Sequence, residues 1–145
     1  MIEVGEYVSR TEYIKKYNSN VGYALHVQNS IKKDDYARLS TGEIVKIIGI
    51  RENNVNKKAI YYGIYDTDWF DSSATENFSA DITDLIEVGD IVEMYDVLNK
   101  YVIYIWNKEM LKSVKEDVAN GIKIRTILTK EQYEANCYKV KEEIC

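Results

Sequence analysis

Residues 86–92 read I-E-V-G-D-I-V, and residues 2–8 read I-E-V-G-E-Y-V. In both phrases apolar and acidic residues alternate on either side of a glycine. That is the pattern of a strand passing through a turn, with Gly giving the backbone freedom and the following acid at a solvated edge. Small β-barrels often open their first strand with a G-(D/E)-x-V phrase of this kind. The repeated phrase predicts strands over 2–10 and 90–96 and raises the question of two related modules. Working outward, the fold class is α+β: small-barrel-like antiparallel sheet modules, β-rich, with two or three short helices. The expected division is 1–80 for an N-terminal β module and 81–145 for a C-terminal β/α module, packed as one compact unit.

The rest of the chain is read from the same periodicities. Val21, Tyr23, Leu25 and Val27 alternate with Gly22, Ala24, His26 and Gln28, which predicts a half-buried strand over 21–28. Between it and the first phrase, Tyr13, Ile14 and Tyr17 fit one face of a helix, and Asn18-Ser19-Asn20 reads as a turn. Ser40-Thr41-Gly42 is a turn leading into a strand over 43–50, and 59–66 returns as its partner after a polar connection over 51–58. Residues 67–80 read as loop. Asp81 caps a short helical turn over 81–85, and strands at 90–96 and 101–106 join through Asn99-Lys100. Asn107 caps a helix to about Ala119, which Asn120-Gly121 ends. A strand over 122–128 leads to T-K-E-Q (129–132), a capping box that opens a short helix, followed by a last strand at 138–140. If the two phrases mark a duplication, Val21, Tyr23 and Leu25 correspond to Val102, Tyr104 and Trp106.

The bulk composition narrows the function classes. The chain has 145 residues, 46% of them hydrophobic, with thirteen tyrosines and two tryptophans against two phenylalanines, and no proline. Amphipathic aromatics in that number suit half-buried strands and binding surfaces. Glu3 and Glu6 at the start, with no apolar run, do not make a signal peptide, and no stretch has the ~20 apolar residues of a membrane span. Cys137 and Cys145 are too few for a disulfide framework. These features predict a soluble cytoplasmic protein.

Net charge is −5, unevenly placed: residues 66–96 hold ten acids and no Lys or Arg, whereas the rest holds 14 acids against 19 bases. Such asymmetry bears on partners and association.

Three segments resemble small, mostly uncharacterised proteins from phages and prophages of Gram-positive bacteria: Y-A-R-L-S-T-G-E-I-V-K-I-I-G-I (36–50), D-L-I-E-V-G-D-I-V (84–92), and I-L-T-K-E-Q-Y-E (127–134) with Y-K-V (138–140). The resemblance covers about two-thirds of the chain; the first 35 residues look like an addition. It implies phage origin and carries over no catalytic or binding residue. Phage accessory proteins of this size often counter host defence, by blocking a CRISPR effector or sequestering a defence signal.

No motif names a reaction. His26, the one histidine, has no sequence relation to either cysteine, so nucleophilic catalysis has no constellation. In D-T-D-W-F-D (66–71), Asp66 and Asp68 begin like a calcium loop, but Asp71 stands where Gly is required and Asn77 where Glu is. Phosphate-cradling glycine loops are absent from the sequence. Neither catalytic residues, nor cofactor, nor metal ligands are therefore assigned. The leading expectation is a non-enzymatic binding protein that presses a phosphate-like acidic surface onto a nucleic-acid-handling defence protein. Its contact residues are Asp66, Asp68, Trp69, Phe70, Asp71, Glu76, Asp90 and Glu93, with Trp69 and Phe70 as aromatic anchors among charge. Two rival expectations remain. One is direct nucleic-acid binding through Tyr36, Arg38, Lys46, Arg51, Lys57, Lys58, Tyr61 and Tyr62. The other is a nucleotide-signal sponge using Arg10, Arg38, Arg51 and Arg125 for phosphates.

Overall fold

The computed structural model describes residues 1–52, 58–62 and 68–139, with side chains left undescribed at 52, 58 and 136–139. The chain divides into two compact units, Met1–Leu85 and Ile86–Cys145. The division follows the short 3-10 turn Ile82–Leu85, which belongs with the first unit.

The first unit starts with two helices, α1 (Arg10–Tyr17) and α2 (Asn20–Ser30). Both begin at a serine whose side chain accepts an early amide: Ser9 from Glu12 and Ser19 from Gly22. The expected strands over 2–10 and 21–28 are therefore absent. The reason lies in what α2 buries. Tyr23, His26, Val27 and Ser30 face inward at helical spacing, whereas Val21 and Leu25 are exposed. Two polar residues on the buried face hide the 3.6-residue period from a hydrophobicity reading.

Five strands follow: β1 (Tyr36–Leu39), β2 (Ile44–Glu52), β3 (Lys58–Tyr62), β4 (Asp68–Phe70) and β5 (Thr75–Ser79). They form an antiparallel sheet in the order β4-β3-β2-β1-β5. The segment read as loop over 67–80 thus supplies both edges of the sheet. Ala37, Leu39, Val45, Ile47, Ile60, Phe70 and Phe78 point to one face and pack with Val8, Tyr23, Val27 and Ile31 as the core. The polar connection expected over 51–58 lies largely outside the described residues.

The second unit holds β6 (Ile91–Tyr95), β7 (Lys100–Tyr104), α3 (Lys108–Ala119), β8 (Lys123–Leu128) and α4 (Lys130–Lys139). Its sheet runs β7-β6-β8, with α3 as the crossover between the two outer strands. Val92, Met94, Ile105 and Val114 form the core with Ile86, flanked by Leu111, Ile124 and Ile127. The local signals act as their chemistry requires. Asn107 Oδ1 accepts Met110 N–H at 2.9 Å. Gly121, at φ +101°, ends α3 with Ile122 N–H on Asp117 O and Gly121 N–H on Val118 O, a Schellman closure. Thr129 N–H donates to Gln132 Oε1 at 3.0 Å, and Gln132 N–H returns to Thr129 Oγ1. Helix α4 runs on through Lys139, where a strand was expected. The class is α+β with four α-helices and eight strands among the described residues, and both sheets are open rather than closed into barrels.

The two copies of I-E-V-G form the same turn: Glu6 N–H bonds Glu3 O and Asp90 N–H bonds Glu87 O, both at 3.1 Å, with Gly5 at φ +97° and Gly89 at φ +101°. A positive φ at the third position is what a type II turn needs. Beyond the turn the copies part. The first leads to α1 and the second to β6, and the segments holding Val21 and Val102 are helix and strand respectively. The structural counterpart of 86–91 is instead I-K-K-D-D-Y (31–36). There Asp35 N–H bonds Lys32 O at 3.1 Å, Asp34 takes the positive φ of +74°, and β1 follows.

Candidate functional site

The acidic window does not act as one feature. Asp68, Asp71, Glu76, Asp81 and Asp84 belong to the first unit, and Glu87, Asp90, Glu93 and Asp96 to the second. Asp66 lies outside the described residues. Several of these carboxylates hold the fold. Asp90 is fully buried; its Oδ2 accepts Glu87 N–H at 2.7 Å and its Oδ1 accepts Lys130 N–H at 2.9 Å. Glu76 pairs with Arg10 at 3.4 Å and Glu93 faces Arg125 at 3.9 Å. Asp71 caps the 3-10 turn Ser72–Ala74 through Ser73 N–H, Asp81 accepts Thr83 N–H, and Asp96 closes its hairpin on Leu98 and Asn99 N–H. Short acidic side chains next to turns satisfy backbone amides before they serve a partner. Asp90 is accordingly withdrawn as a contact residue.

Trp69 and Phe70 do not form a joint anchor. Consecutive strand residues point to opposite faces. Phe70 turns inward against Ile60 and Tyr62 and is buried, while Trp69 turns outward and is 59% exposed. Asp68 follows Phe70 to the rim of the core face, beside Tyr62, and so points away from Trp69. Burial, followed by the nearby charges of Glu43 and Asp68, raises the Tyr62 pKa above its ordinary value.

Across the sheet from Trp69 the outward face is aromatic and cationic. The register sets Trp69 opposite Tyr61 and Tyr61 opposite Gly49. Arg51 lies over the Tyr61 ring with its guanidinium carbon 4.6 Å from the centroid, and along β2 Lys46 stands 5.9 Å from the Tyr36 ring. A β-carbon built on Gly49 meets nothing within 4 Å, so the floor between Tyr61 and solvent is open. No carboxylate takes an outward position on β2, β3 or β4 between Lys46 and Trp69 among the described residues. The outward face across from Trp69 is therefore formed by Trp69, Tyr61 and Arg51. Its sequence signal was alternation in A-I-Y-Y, read for strand content but not for sidedness, and in D-W-F, which lies in a segment read as loop.

Other expected groups take structural roles. Arg38 is 1% exposed and donates to Leu85 O at 2.9 Å, which removes it from a nucleic-acid face. His26, placed on the face opposite Tyr23 and Val27 in the expected strand, is buried with them in α2. Glu6 O can only accept, so His26 Nε2 carries the hydrogen of that 2.8 Å bond. His26 Nδ1 faces Ser30 Oγ at 3.5 Å, and Ser30 Oγ accepts Gly5 N–H at 2.9 Å. This chain ties the first I-E-V-G turn to α2. Arg10 reaches Thr75 O, Asn20 Oδ1 and Glu76, and Arg125 faces Glu93, so the arginines named for a nucleotide sponge are spread over separate structural contacts. No group of three His, Cys, Asp or Glu residues is placed to hold a metal among the described residues, and no described helix is long and apolar enough to cross a membrane.

Comparison with known protein families, characterised proteins and solved structures finds no match.

Proposed function

We propose that this chain is a non-enzymatic binding protein that docks on a protein partner through the outward face of its first sheet, with Trp69 as the anchor. The observation that carries this is the exposed Trp69 beside Tyr61, with Arg51 stacked on that tyrosine. Trp, Tyr and Arg are the residue types most enriched where interfaces concentrate their binding energy. The resemblance of 36–50, 84–92 and 127–134 to phage proteins suggests the kind of partner: a bacterial defence protein, inhibited by occlusion. Within 66–96, the exposed acids of the first unit, Asp68, Asp71, Asp81 and Asp84, offer negative charge for steering onto a basic partner. The chain bound to resin and exposed to host lysate should retain a defence protein. Trp69→Ala should release it, with folding unchanged. Retention that survives Trp69→Ala and Tyr61→Ala together would remove this face from the reading.

The same face favours one rival. Cations stacked on tyrosines beside an open Gly49 also suit unpaired bases, so single-stranded nucleic acid is the second reading. It requires a mobility shift of labelled single strands by the purified protein that weakens as salt rises and is lost on Arg51→Ala. The protein-partner reading requires no such shift.

A further inference from the structure

Strand β7 lies at the edge of the second sheet, hydrogen-bonded to β6 alone among the described strands. The ladder fixes which way its backbone groups point. Ile105 N–H donates to Asp90 O at 2.9 Å and Ile105 O accepts Gly89 N–H at 2.8 Å, so residue 105 faces β6. Antiparallel alternation turns Ile103 and Tyr101 the same way and directs the N–H and C=O of Lys100, Val102 and Tyr104 away from β6. The side chains of those three residues are also exposed, on one face. Val102 is 64% exposed, and Trp106, 71% exposed, packs edge-on against Tyr104 with ring centroids 4.7 Å apart. At the hairpin tip Leu98 is 88% exposed. Natural edge strands are guarded by Pro, bulges or inward charge. β7 has no proline, its register with β6 is unbroken, and its one charge, Lys100, sits at its first residue.

We propose that β7 pairs antiparallel with β7 of a second copy of this chain, about a two-fold axis at Val102. The edge is its own complement, with a cation at one end, an aromatic ring at the other and a β-branched residue at the midpoint. In this register Val102 opposes Val102 of the second copy and the two exchange both backbone bonds. Lys100 opposes Tyr104 of the second copy, so the ammonium lies beside the ring and the backbone groups of both are satisfied. Trp106 reaches Leu98 of the second copy. One symmetric contact thus covers the exposed apolar residues from Leu98 to Trp106 and joins two three-stranded sheets into one of six strands.

The full chain examined by sedimentation and light scattering at about 100 μM, where an interface at the small end of the specific range still associates, should show twice the monomer mass. Val102→Pro removes an N–H that faces away from β6, as edge positions tolerate, and should give a monomer with unchanged circular dichroism. Tyr104→Lys, an exposed substitution that sets two ammonium groups together across the axis, should also give a monomer. In a chain carrying Cys137→Ser and Cys145→Ser, Val102→Cys should trap a covalent dimer under mild oxidation. A wild-type monomer at that concentration, a dimer that survives both Val102→Pro and Tyr104→Lys, or no trapping at position 102 would each overturn the proposal. A strand from another protein taking the edge would show as that first result.

Discussion

Asp35 and Asp90 perform one task in the two units. Asp35 Oδ2 accepts Lys32 N–H at 2.8 Å and its carbonyl accepts Ile47 N–H at 2.8 Å; Asp90 Oδ2 accepts Glu87 N–H at 2.7 Å and its carbonyl accepts Ile105 N–H at 2.9 Å. The residue before each, Asp34 or Gly89, has positive φ and gives its N–H to the same isoleucine carbonyl. The strand that follows is flanked on both sides, and each shifts register after its third residue, between Arg38 and Leu39 or between Glu93 and Met94. A buried aspartate closing its own turn is thus how either unit launches a strand that has neighbours on both sides, β1 in the first and β6 in the second.

Replacing Asp90 should be costly. Asp90→Ala leaves the amides of Glu87 and Lys130 without their carboxylate in a fully buried site, and unsatisfied donors cost about 1–3 kcal/mol each. A loss of about 3 kcal/mol is expected by urea unfolding. Asp90→Asn should also destabilise, because its amide NH₂ must face one of the two donors.

Trp69 and Phe70 are adjacent and should behave in opposite ways. Phe70→Ala removes a core side chain and should cost about 3–5 kcal/mol. Trp69→Ala should change stability by less than about 1 kcal/mol while abolishing partner binding. Denaturation midpoints and retention on a partner column measure the two effects separately.

Three glycines should rank by backbone. Gly5→Ala and Gly89→Ala force alanine into positive φ and should each cost about 1–2 kcal/mol, Gly89 more because its new methyl meets Lys130 Cδ at 3.3 Å. Gly49 has neither constraint, and Gly49→Ala should stay within about 0.5 kcal/mol of the natural protein. Thermal unfolding of the three variants gives the order.

Alkali should weaken the first unit through Tyr7. Burial, together with its 2.8 Å hydrogen bond to Asp35, pushes the Tyr7 pKa from 10.0 to about 12. A folded pKa raised above the unfolded one means that the stabilisation is complete below pH 10 and is lost as pH rises towards 12. Stability measured across that window should fall, and Tyr7→Phe, already lacking the bond, should fall less steeply.

Legibility in the sequence followed locality. Asn107, Gly121 and the T-K-E-Q box act on amides within a turn of themselves, so their patterns could be read directly. Ser9-Arg10-Thr11-Glu12 carries the same kind of signal for α1, with Ser9 accepting Glu12 N–H; it marks the start of the helix that Tyr13, Ile14 and Tyr17 suggested, at residues where a strand was expected. Helix α2 was hidden because His26 and Ser30 become buried only when the backbone of residues 5 and 6 arrives to bond them. The outward face of the first sheet was half legible: Trp69 was singled out as an aromatic, but its neighbours were not, since Tyr61 lies opposite it through strand pairing and Arg51 stacks on Tyr61 from the next strand.

By itself the sequence determined the α+β class, the caps of α3 and α4, the stop of α3 and the I-E-V-G turns, because glycine conformation and side-chain-to-amide bonds are settled within a few residues. The tertiary structure alone decided which carboxylates are buried in turns, that Trp69 shares its face with Tyr61 and Arg51 and not with its neighbour Asp68, and that β7 is left at an edge. Charge along a chain does not say which side of a strand it occupies; pairing and burial fix that, and they join residues far apart in sequence.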